Sequence, residues 1–411
     1  MKKPQLNQGS ENSGTSNNFN TSGADLYRPR FTGRHFVILK GPQQDHSKME
    51  WFLKNKVGFR TACSRDFLSE TFSEEKIKDA DAYVYEELGI ALISGSVSQI
   101  NILETETAEF ILEPERLVHI PDVIPSTMVI PDNWGIKSTK VNESPYTGKG
   151  IKVAVLDTGF SANHPDFEGR EVIAESFVEG ENANDVHGHG THCIGTACGA
   201  TDMDGLRYGI AKESIIYAGK VLNSEGSGAE SWVIDGIAWA TNHGCKVISM
   251  SLGSAVLPGE GYSLAYERAA KYALSKGAVL VAAAGNDSHR SRNVFRPVGS
   301  PANCPSILAV GAVDAEYNVA NFSNRGINPD QSIDLVAPGV DIYSSFTGSF
   351  LYRTISGTSM AAPHVAGILA LLWENHSSLT PDEIKVEVRK LAHQLNLDPN
   401  DVGSGFVIAP S

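Results

Sequence analysis

At 411 residues, with 41% hydrophobic and 20% charged side chains, the chain is long enough to bury a sizeable core and to form more than one domain. A formal charge of −14 and a pI near 5.3 argue against a nucleic-acid surface. No run of 18 apolar residues occurs, so no membrane span and no membrane partner is expected.

Met1-Lys2-Lys3 opens like a signal peptide, but Pro4 to Asn20 has no apolar core, so no secretory signal is visible. Residues 1–30 read as a disordered polar tail, compatible with a cytoplasmic chain, another export route or a longer precursor. Residues 31–125 carry strand-like pieces at Arg34–Lys40, Ile90–Gly95 and Glu109–Pro114 with polar helical stretches between them, which predicts a small α+β domain. Residues 126–411 form the second domain, in which short β-branched runs alternate with helical patterns, ending in a capping box at Thr380–Glu383 and a short final strand near Gly403–Ile408.

Three segments of that second domain carry chemistry. The run Ile151–Leu156, bounded by Gly150 and Gly159, reads as a buried parallel strand with Asp157 at its carboxyl end, where catalytic groups of open α/β sheets collect. An Asp capping the following turn is the plainer alternative. His189 opens the small-residue stretch Gly190–Ala197, which suits a helix packed tightly on a sheet. His187, His189 and His192 also form His-x-His-x-x-His, a rival zinc pattern, although Thr191 stands where a hydrolytic zinc site usually has an acid. Ser359, in Gly357-Thr358-Ser359-Met360-Ala361-Ala362-Pro363, precedes an apolar helix, so it is either a helix cap or a nucleophile whose own N–H points at a developing oxyanion. Gly-x-Ser-x-Ala half-matches the nucleophile elbow, but that arrangement needs its acid and His after the Ser, and little chain remains here.

With Asp157, His189 and Ser359 in that order, the chain resembles the subtilisin-like serine proteases, nearest the proteinase-K branch, over about residues 130–411. The resemblance implies a doubly wound, mostly parallel α/β sheet and a serine endopeptidase working through an acyl-enzyme on polypeptide substrates. By the same resemblance Asn286, ending Val281–Asn286, is the oxyanion-hole amide, and Gly226-Ser227-Gly228 and Ser251-Leu252-Gly253 are strands that flank an extended peptide. Gly299 floors the pocket for the residue before the cut, leaving room for a large apolar side chain, while Glu230 replaces an aromatic residue at the rim of the pocket four residues before it. The ending Phe110–Ile120 resembles the exit strand of an inhibitory prodomain, implying a monomeric zymogen inhibited by its own prodomain and cut between about Ile120 and Asp132. A maturation protease for one precursor peptide and a non-catalytic peptide-binding relative are the alternatives.

No cofactor is expected for the chemistry. The family's structural calcium points to Asp166 and to the loop Ala200–Gly205 with Asp202 and Asp204, without a residue-for-residue match. Five cysteines, Cys63, Cys193, Cys198, Cys245 and Cys304, read as free buried thiols, which suits a reducing compartment although the family is commonly secreted. Cys193 lies one helical turn from His189, where mercurials would reach it unless it is packed and inert.

Overall fold

The computed structural model describes residues 27–40, 46–64, 79–105, 108–126 and 133–411. It falls into two units, one ending at Leu117 and one running from Val118 to Ser411. Most of the expected polar tail and residues 127–132 of the expected processing window lie outside the described residues.

In the first unit, strands β1 (Phe31–Leu39), β2 (Thr61–Cys63), β3 (Ala82–Tyr85), β4 (Ile90–Ile93) and β5 (Phe110–His119) lie in the order β5-β1-β4-β3-β2. β1 runs antiparallel to both β4 and β5. The helices His46–Phe52 and Val97–Thr105 are part of the same unit, and alternate apolar residues of the sheet, among them Val37, Leu39, Val84 and Ile93, share a core with Met49 and Leu103. Arg34 grips Glu115 through two bonds of 2.7 and 2.8 Å inside that sheet. Removing either partner would strand the other charge, at about 3–5 kcal/mol.

The second unit begins with β6 (Ile124–Pro125) and is built on a seven-stranded sheet. Its strands are β7 (Lys152–Asp157), β8 (Val172–Ser176), β9 (Ile215–Lys220), β11 (Val247–Met250), β12 (Val279–Ala283), β13 (Leu308–Val313) and β14 (Leu335–Pro338); the short β10 (Ser227–Ala229) precedes the helix Glu230–Asn242. The order is β14-β13-β12-β11-β7-β9-β8, with every pairing parallel. Strands buried on both faces need continuous apolar runs, and β7, β11, β12 and β13 supply them. The helices His189–Cys198 and Thr358–Asn375 pack on each other and on the sheet, as do Glu230–Asn242 and Leu264–Ser275. This is the doubly wound α/β arrangement. Its strand order reverses at β7, which opens a crevice beyond the carboxyl ends of β7 and its neighbours.

A small antiparallel sheet, β15 (Ile342–Ser345), β16 (Tyr352–Ser356) and β6, closes one side of that crevice. The capping box at Thr380 and Glu383 starts the helix Pro381–Leu391. Beyond it the expected last strand is reduced to isolated bridges from Phe406 to Val336 and His393, because Gly403 and Gly405 both take positive φ and bend the chain.

Candidate active site

Asp157 is the last residue of β7, and His189 is the first of its helix. They meet because the two elements approach closely at Gly190: a Cβ there would lie 2.4 Å from the Gly159 carbonyl oxygen. His189 Nδ1 lies 2.8 Å from Asp157 Oδ1, which also accepts the Thr158 N–H at 2.8 Å. Since Asp157 is the acceptor, Nδ1 carries the proton and Nε2 keeps its lone pair. Nε2 is buried without a hydrogen-bond partner, as is Asp157 Oδ2.

Ser359 sits in the first turn of the helix Thr358–Asn375. Four residues on, Pro363 has no N–H to give, so the Ser359 carbonyl is free of the usual intrahelical bond. It accepts instead from Ser251 Oγ at 2.7 Å and from Cys193 Sγ at 3.5 Å, which ties the helix start to the end of β11 and to the His189 helix. Ser359 Oγ itself donates to the Ser251 carbonyl at 3.4 Å.

Asn286 follows β12, and its amide is oriented by Thr358: Asn286 Oδ1 accepts the Thr358 N–H at 2.9 Å and the Thr358 hydroxyl at 2.8 Å. Nδ2 is thereby turned into the crevice, where it donates to the Asp122 carbonyl at 2.8 Å.

Asp185 had no signal in the sequence, yet it joins these parts. Its Oδ1 accepts from Thr158 Oγ1, the His187 N–H and the Gly188 N–H at 2.9, 3.0 and 2.8 Å. Its Oδ2 accepts the Thr191 N–H and hydroxyl at 2.8 and 2.7 Å. One buried carboxylate thus pins the loop after Asp157 to the entrance of the His189 helix. Burial pulls the His189 pKa down, but the Asp157 charge, Cys193 and the hydrogen bonds to both together outweigh it and leave the imidazole well above its ordinary value. Cys193 stays a neutral thiol, because burial pushes it above the ordinary thiol range; its Sγ is 3.8 Å from His189 Nδ1.

Residues 119–126 thread this crevice. His119 exchanges two backbone bonds of 2.9 Å with Gly253, and the Ile120 N–H donates to the Gly226 carbonyl at 3.0 Å. On the far side of Asn286, Ile124 pairs with Ser356 and Pro125 with Ile355. Gly226 holds φ at +78°, and a Cβ on it would lie 2.7 Å from Ile120 Cδ1, so glycine there makes room for the threaded chain. Ser227 holds the same turn by donating its N–H to Asn223 Oδ1 at 2.9 Å. Gly228 faces inward, its Cβ position 2.4 Å from the Val221 carbonyl. Ser251 and Leu252 are buried behind the strand end. Gly299 lies against the Ala284 and Ser254 carbonyls.

One expectation changes. Glu230, expected at an exposed rim, is fully buried in the first turn of its helix and accepts from the Ser263 hydroxyl. The helix N-terminus favours a carboxylate there, and the serine satisfies it. The three histidines do not converge on a metal: His192 Nε2 lies 3.1 Å from both the Ile342 and Arg353 carbonyls, and burial drives its pKa to about 3. All five cysteines are free and buried. Asp166 and Asp202 have their side-chain oxygens occupied by tyrosine hydroxyls and backbone N–H groups.

Known proteins share this sequence pattern. Residues 148–405 match the subtilase family. The chain is 40% identical to subtilisin DY of Bacillus licheniformis over 274 residues, 66% of this chain and 94% of that protein. It is 36% identical to M-protease of Shouchella clausii over 341 residues, 82% of each. It is 40% identical to subtilisin E of Bacillus subtilis over 262 residues, 63% of this chain and 65% of the relative.

Proposed function

Since the chain belongs to the subtilase family and is a serine-type endopeptidase, we propose that Ser359, His189 and Asp157 form its triad and that it is made as a zymogen that cuts its own linker. Ser359 Oγ attacks the carbonyl carbon while His189 Nε2 takes its proton. Asp157 stays ionised and holds the imidazolium through Nδ1–H. The oxyanion is bound by Asn286 Nδ2 and the Ser359 N–H. Collapse breaks the C–N bond as Nε2–H passes its proton to the leaving amine, and water then hydrolyses the acyl-enzyme by the same steps in reverse.

The observation that carries the reading is the Asp122 carbonyl on Asn286, within a segment that pairs with Gly253 and Gly226 before it and with Ser356 after it. A peptide bond presented in this way is a substrate, and here it is Asp122–Val123. The residues preceding it act as the intramolecular inhibitor, and the enzyme is a monomer. On other polypeptides Gly299 supports a preference for large apolar residues before the cut, worth about 1.5–3 kcal/mol of burial. Asp122 itself is exposed, so the linker is held by its backbone pairing. The test is intact mass after expression. The wild-type chain yields a fragment beginning at Val123, and Ser359→Ala stays whole; equal processing of the Ala variant expressed alone would overturn self-cleavage.

A further inference from the structure

The resemblance drawn from the sequence implies calcium ligands at Asp166 and in the loop after the His189 helix. Calcium takes 6–8 oxygen ligands at about 2.3–2.6 Å, so each carboxylate of such a site must keep a lone pair turned toward the ion. At Asp166, Oδ2 accepts from the Tyr208 hydroxyl at 2.7 Å and Oδ1 from the Tyr352 hydroxyl at 2.8 Å. At Asp202, Oδ2 accepts from the Tyr343 hydroxyl at 3.0 Å, and Oδ1 accepts the Asp204 and Leu206 N–H groups at 3.0 and 2.8 Å. The Tyr352 oxygen in turn accepts the Met203 N–H at 3.2 Å, tying the loop to β16.

The three rings pack as one cluster. Tyr343 stacks on Tyr352 at 5.4 Å, and Tyr208 sits edge-on to both at 6.3 and 6.2 Å. Tyr208 is fully buried. Each phenol donates its O–H to a carboxylate. Every carboxylate oxygen that a cation would take at Asp166 and Asp202 is engaged by a proton, and Asp204, the remaining acid of the loop, is exposed.

We infer that Tyr208, Tyr343 and Tyr352 lock this loop in place of a divalent cation, so that calcium neither binds at Asp166 and Asp202 nor supports the fold there. The reasoning is independent of the catalytic proposal. It is tested on the full-length Ser359→Ala chain, in which self-digestion cannot blur a melting curve. The expected result is the same Tm in calcium and in EDTA, with Tyr208→Phe/Tyr352→Phe lowering Tm equally in both. Should that variant fail to fold, Tb³⁺ added to the Ser359→Ala chain gives the second reading: no tyrosine-sensitised emission that Asp202→Asn removes. A calcium-dependent rise in Tm, or sensitised Tb³⁺ emission, that disappears in Asp202→Asn would overturn the lock. A calcium effect unchanged by Asp202→Asn arises at another site and leaves the lock standing.

Discussion

Asp157 and Asp166 both have buried carboxylates, and they are treated in opposite ways. Asp166 has a hydroxyl donor on each oxygen. Asp157 has two donors on Oδ1 and none on Oδ2, while the His189 Nε2 it supports also lacks a partner, and Ser359 Oγ makes only a long bond to a carbonyl. A saturated site has nothing left to offer a reacting group. The incompletely bonded one keeps its lone pair and its hydroxyl for a substrate, and holds both in place through saturated neighbours such as Asp185 and Thr358.

The sharpest way to break this contrast is to remove the side-chain amide that donates to the Asp122 carbonyl. Asn286→Ala in the matured enzyme deletes the amide at the oxyanion while leaving the triad pairing intact. The loss should appear in kcat with KM little changed, at about 2.7–4 kcal/mol or 10²–10³-fold, a magnitude taken from the equivalent donor of a subtilisin. A rise in KM with kcat unchanged would show that Asn286 binds the ground state as well as it binds the transition state.

The pH profile tests the unpartnered Nε2. On the proposed mechanism activity requires neutral His189, whose pKa is raised, so kcat/KM should be full above that pKa and fall about tenfold per pH unit below it. The acid limb should therefore have its midpoint above 6.5. A midpoint at or below 6.5 would mean that Asp157 does not hold the imidazolium.

The placement of the candidate residues was legible in the sequence wherever a local element sets it. Asp157 closes an apolar run that becomes β7, His189 opens a small-residue helix, and Asn286 ends the run that becomes β12. What was not legible depends on residues distant in the chain. Asp185 follows an Asn-rich stretch that reads as an ordinary turn, and only folding shows that its oxygens meet Thr158 and Thr191. Tyr208 and Tyr352 lie on different elements, and neither carries a motif. Glu230 was read as exposed because alignment to a rim says nothing of Ser263, which reaches it from another helix's cap.

Asp185 gives the next test, because it is the saturated support of the unsaturated site. In Asp185→Asn the side-chain NH2 must face one of the N–H or O–H donors now bonded to an oxygen, leaving buried donors unpaired at about 1–3 kcal/mol. A lower Tm should be accompanied by a lower kcat and a shifted acid limb, since Thr158 and Gly188 flank the Asp157–His189 pair. Loss of Tm with kcat and the pH profile unchanged would reduce Asp185 to a structural residue.

The smallest effect concerns why the linker rests in the crevice with Ser359 disengaged from His189. Two residues beyond the isolated His119–Gly253 bridge the linker reaches Pro121, and an antiparallel continuation of that bridge would set it opposite Ser251. A proline has no N–H for the Ser251 carbonyl, and that oxygen accepts from Ser359 Oγ instead, at 3.4 Å. The proline thus leaves open the acceptor that diverts the nucleophile. Pro121→Ala supplies the missing N–H, so Ser359 Oγ loses a competing partner and can turn to Nε2. One neutral hydrogen bond is worth about 0.5–1.5 kcal/mol, so self-cleavage should quicken by a few-fold, measured as the rate at which the fragment beginning at Val123 appears. The matured enzyme, which has lost Pro121, should show the same kcat from either precursor. Slower processing in Pro121→Ala would mean that proline holds the linker in a reactive path, and that Ser359 is restrained by the fold itself.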